Sequence, residues 1–87
     1  MRTNDVIIFL QEYMQSVFDD GTTSLEMWYD PYNFQHCGKL DVKYGGFSMT
    51  FPIILDEYKI QKQIVDFCNY VVRTVKQGYT LYLRKEK

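Results

Sequence analysis

The chain has 87 residues, 46% of them hydrophobic and 17% aromatic, and a formal net charge of −1. That length admits one domain, residues 1–87, burying about two thirds of the surface its unfolded chain exposes, and the composition excludes a disordered tail. The longest apolar run, VIIFL at Val6 to Leu10, is too short to span a bilayer, and only Arg2 precedes it where a signal peptide would carry several basic residues. These features predict a cytoplasmic protein with no membrane association. Two cysteines in different settings, Cys37 in a predicted loop and Cys68 within an apolar helical pattern, do not make a disulfide framework. Charge divides along the chain. Met1 to Glu57 holds nine acids and three bases, a balance of −6, and Tyr58 to Lys87 holds seven bases and two acids, a balance of +5. Such a field can steer a charged partner.

The first element follows TND, where Thr3 or Asn4 can cap a helix and Asp5 suits its positive end. Val6, Leu10, Tyr13, Met14 and Val17 then fall on one helical face, and DDGT at Asp19 to Thr22 closes the helix in a turn. Three stretches with period-two alternation follow. TSLEMWY places Leu25, Met27 and Tyr29 on one face, KLDVKY places Leu40, Val42 and Tyr44 there, and FSMTFPI adds Phe47, Met49, Phe51 and Ile53.

Gly45-Gly46 suits a two-residue hairpin turn, which sets Tyr44 against Phe47, Val42 against Met49 and Leu40 against Phe51. With DPYNFQHCG, residues 30–38, as a nine-residue loop, the first two strands pair Leu25 with Tyr44, Met27 with Val42 and Tyr29 with Leu40. On the other face this register places Glu26 opposite Lys43 and Asp30 opposite Lys39, two attractive pairs. Pro52 cannot donate to a ladder, so its strand is an edge there or is ending.

Asp56 caps a second helix whose stripe is Ile60, Ile64, Phe67, Cys68, Val71 and Val75, with Gly78 as a C-terminal stop. YTLYLR then reads as a fourth strand. The expected fold is α+β in the order αβββαβ: an antiparallel three-stranded meander plus a C-terminal strand, with two helices packed on one sheet face. The opposite face is left open.

Chemistry-bearing residues are sparse. His36 and Cys37 are adjacent, and in an extended chain neighbours point to opposite sides, so they do not make a nucleophile and base pair; no catalytic residue is assigned. A thiol enzyme at Cys37 would need a depressed thiol pKa. One His-Cys pair with a distant Cys68 falls short of a zinc set, so no metal and no cofactor is expected. What remains is contact chemistry. Trp28 falls on the open face beside Glu26 and Asp30 and opposite Asp41, and Tyr32, Phe34 and His36 sit in the adjoining loop. Tyr82 joins that face if the last strand enters the same sheet. Trp and Tyr are enriched at interface hot spots.

Asp5 to Gln77, in the order αβββα, resembles the double-stranded-RNA-binding domain. The resemblance implies RNA binding through a Lys-rich start to the second helix. Here that stretch is DEYKIQK, opening with two acids, and MTFPIIL stands where the family has a glycine-bearing approach. In size and style the chain also resembles the stand-alone inhibitors that bacteriophages encode against host defences, anti-CRISPR proteins among them. The expected function is therefore a non-enzymatic protein-binding module, an inhibitor or adaptor whose partner is a protein such as a host nuclease or defence protein. The alternatives are nucleic-acid binding through the basic second helix and tail, and homodimerisation through the last strand or the open face.

Overall fold

The computed structural model describes residues 1–85. Helix α1 (Thr3–Val17) leads into strands β1 (Thr22–Asp30), β2 (Gln35–Tyr44) and β3 (Phe47–Asp56), and a 3-10 turn, Glu57–Lys59, enters helix α2 (Ile60–Lys85). The sheet is an antiparallel meander in the order β1-β2-β3.

Helix α1 begins one residue earlier than its cap signals suggest. The Arg2 N–H donates to the Asp5 carboxylate at 3.3 Å, while the Thr3 hydroxyl, the expected cap, is hydrogen-bonded to His36 Nδ1 at 2.7 Å. Val6, Leu10 and Met14 are fully buried along one face, as the spacing predicts, and Phe18 seals the end of the helix. Helix α2 buries Ile60, Ile64, Cys68, Val71 and Val75. Both stripes meet Leu40, Val42, Phe51, Ile53 and Leu55 from one side of the sheet, with α1 packed chiefly on β1 and α2 on β3. The expected core face is the observed one.

Two expectations are corrected. First, there is no C-terminal strand among the described residues, because residues 79–84 continue α2. Gly78 does not stop the helix. It lies inside it, where a Cβ would come 2.5 Å from the Phe47 ring, so glycine lets the helix run close over β3. Beyond it Tyr79 packs edge-on against Tyr44 and Tyr82 against Phe47, at helical rather than strand spacing, over the Gly45-Gly46 turn. Both turn glycines adopt positive φ, 57° and 86°, which the hairpin requires.

Second, β1 and β2 pair four residues away from the expected register: Leu25 faces Leu40, Met27 faces Gly38 and Tyr29 faces His36. The connection is only Pro31 to Phe34. Asp30 draws it tight, accepting the N–H groups of Tyr32 (3.0 Å) and Asn33 (3.4 Å) and the Asn33 side-chain amide (2.8 Å). Phe34 turns the chain with φ 52°. QHCG is thereby drawn out of the loop into β2. Gly38 is needed there, since a Cβ would fall 1.9 Å from the Glu26 carbonyl oxygen. The displacement is even, so every side chain keeps its face. The expected pairs of Glu26 with Lys43 and Asp30 with Lys39 give way to Glu26 with Lys39 and Asp30 with Gln35.

Candidate functional site

Alternation along the three strands lays out the open face as rows across the sheet. One row is Trp28, Cys37 and Ile54, and the next is Glu26, Lys39 and Pro52. Trp28 is 57% exposed and Ile54 64%, with Cys37 half-buried between them. The β1–β2 turn does not cover this row. Tyr32 projects from the turn at 91% exposure, and Phe34 folds toward Tyr58, with ring centroids 5.6 Å apart. Trp28, Ile54 and Pro52 therefore give one end of the open face an apolar character, and the exposed Phe34–Tyr58 pair lies at the strand ends next to it. The other end is hydrophilic, formed by Thr22, Ser24, Asp41, Lys43, Ser48 and Thr50.

The rim of the apolar end is acidic. Glu26, Asp30 and Asp56 stand on this face, and Lys39 is the base among them. The Glu26–Lys39 contact is 4.0 Å long with both side chains more than half exposed, so it leaves Glu26 available. Asp30 is held below the ordinary carboxylate range, first by the Asn33 side chain and also by the two turn N–H groups. It is thus a fixed negative charge beside Trp28.

Three sequence-predicted contacts lie elsewhere. Asp41 stands at the hydrophilic end, accepting the Thr50 hydroxyl at 2.5 Å. Tyr82 belongs to α2, on the helix side of the sheet. His36, expected in an exposed loop, is a β2 residue only 1% exposed, and its side chain enters the helix side. Its ring lies 5.1 Å from Tyr29 and ties β2 to the start of α1 through Thr3; Nε2 has no partner among the described protein atoms. Beside it the Tyr29 hydroxyl donates to the Glu57 carboxylate, which raises the phenol to about 12. Sequence reasoning missed Ile54 and Pro52 as members of the apolar end, and Tyr58 next to it. The alternation of Ile53 and Ile54 about the buried face was the available signal.

Partial burial and the Asp30 charge push the Cys37 thiol pKa up, and burial raises Cys68 to about 11. Among the described residues no group of three or more His, Cys, Asp or Glu side chains could hold a metal ion, and no helix is long and apolar enough to cross a membrane. Comparison with protein-family models, curated proteins and solved structures finds no match. The open face stands on its own geometry.

Proposed function

We propose that the chain is a non-enzymatic protein-binding module, an inhibitor or adaptor that engages its partner through the Trp28 end of the open sheet face. The observation that carries this reading is the row of exposed Trp28 and Ile54 about half-buried Cys37, with the exposed Phe34–Tyr58 pair at the adjoining strand ends. An exposed Trp beside the half-buried Cys37 is the chemistry of an interface anchor, and the acidic rim fits a partner surface lined by Lys and Arg. The nucleic-acid-binding groove of a nuclease is such a surface, which suits an inhibitor of a defence nuclease.

RNA binding is the weaker reading, because the acids that open DEYKIQK are engaged at the entry to α2. Asp56 accepts the Tyr58 N–H and Glu57 accepts the Tyr29 hydroxyl, and both put negative charge where a phosphate would sit.

Tagged wild-type chain and the variants Trp28→Ala and Ile54→Lys are tested together in bacterial lysate with and without nuclease treatment. A protein captured by the wild type is expected to be lost from both variants, with Trp28→Ala weakening binding by about 2 kcal/mol or more and leaving the fold intact. Retention by both variants would overturn the assignment of the face, and capture that disappears with nuclease would favour nucleic acid.

A further inference from the structure

We infer that β1 is an open docking edge, and that the partner enters there as an extended basic segment adding a fourth strand antiparallel to β1. This deepens the reading of the Trp28 face by naming the chemistry of the partner's backbone and side chains.

The sheet's two edges differ. β3 carries Pro52, which has no N–H to offer a further strand, whereas β1 runs nine residues, TTSLEMWYD, without proline. Among the described residues the sheet ends at β1. The apolar layer beneath it is also unfinished. Leu40, Val42, Phe51 and Ile53 are buried to 2% exposure or less, while Leu25 and Met27 on β1 remain half-buried and Tyr29 is exposed. A strand laid along β1 would cover them.

Charge selects the occupant. The open-face positions of β1 are Thr22, Ser24, Glu26, Trp28 and Asp30, two acids four residues apart and no base. A second copy is disfavoured. Every antiparallel two-fold pairing of β1 with itself that keeps the faces and uses at least seven of its nine residues places Glu26 directly or diagonally against Glu26 or Asp30 of the other copy. The same acids attract a strand bearing Lys or Arg at a spacing of four, with apolar residues alternating on the helix side. Glu26 already faces Lys39 across β2 in this way. The acids thus bar self-association at an edge that admits a basic strand.

The test uses the full chain and a blocked peptide, Thr-Val-Lys-Val-Thr-Val-Lys-Val-Thr, with two controls: the lysines replaced by glutamates, and alternate backbone amides N-methylated to block one strand edge. Two N-methylated versions cover both edges. Hydrogen exchange followed by NMR is expected to show β1 amides protected by the lysine peptide at low salt. That peptide should bind about tenfold or more tightly than the glutamate peptide, one N-methylated version should fail, and Glu26→Lys should reverse the charge preference. No protection of β1 at millimolar peptide, equal binding by both N-methylated versions, or a chain already dimeric through β1 would overturn the inference. If both N-methylated peptides bind and Trp28→Ala weakens them, the face reading stands and the edge falls. Addition to β1 that ignores both Trp28→Ala and Ile54→Lys would uphold the edge and remove the face.

Discussion

Tyr29 links the sheet to the start of α2 by donating its hydroxyl to the Glu57 carboxylate. That bond, with lesser help from desolvation and nearby charge, lifts the phenol from 10.0 to about 12. A folded-state pKa above the unfolded one means that the folded protein holds the proton more tightly. The stabilisation is therefore fully present below pH 10 and is lost as pH rises through about 12. Titration followed at 295 nm is expected to show a late-ionising phenol in the wild type that is lost from Tyr29→Phe and moved to lower pH in Glu57→Gln. An unchanged profile in both variants would sink the assignment. His36 shows how much one residue's setting depends on its neighbours. In DPYNFQHCG it reads as a loop histidine, yet the hydrogen bonds to Asp30 shorten the turn and carry it into a buried strand position.

Among the elements, those with unbroken periodicity were legible: the α1 stripe, the β2–β3 hairpin with its register, and the first part of α2 all follow from spacing and from Gly45-Gly46. The face carrying Trp28 was legible for the same reason, since an even register displacement leaves the faces alone. The β1–β2 register was not, because both alignments pair Glu26 with a lysine and both keep the apolar side chains on the same sheet face. The choice rests on the side chain of Asp30 and on the close passage of Gly38, neither visible in a hydrophobic pattern. Gly78 misled in the same manner. Glycine after a polar pair resembles a helix end, and its close approach to Phe47 is a tertiary fact. Gly78→Ala is expected to destabilise the wild type despite a helix-propensity gain of roughly 1 kcal/mol. In a Phe47→Leu background, where the obstructing ring is gone, the same change should become neutral or stabilising. Urea denaturation of the four proteins checks this, and an equal effect in both backgrounds would refute the packing account.

At the scale of the whole molecule the sequence's charge division becomes a spatial one. The Trp28 end of the sheet carries Glu26, Asp30 and Asp56 on its open face, and α2, 26 residues within a body 48 Å long and 18 Å across, carries Lys62, Arg73, Lys76, Arg84 and Lys85. An acidic docking end should act mainly on encounter. Raising ionic strength from low to a few tenths molar, which shortens the Debye length from tens of Å to about 6 Å, is expected to slow partner association by about tenfold and leave dissociation nearly unchanged. Stopped-flow fluorescence of Trp28 measures both. A salt-independent association rate would exclude the acidic rim from recognition.

The arrangement in which α1 rests on β1, each strand pairs with the next, and α2 rests on β3 means that most contacts join neighbours along the chain. Little loop-closure entropy stands between the unfolded and folded states, which places folding toward the fast, millisecond side for a mixed α and β domain. Docking of α1 on β1 and closure of the strand pairs each need only a short loop to form, so each can precede the docking of α2.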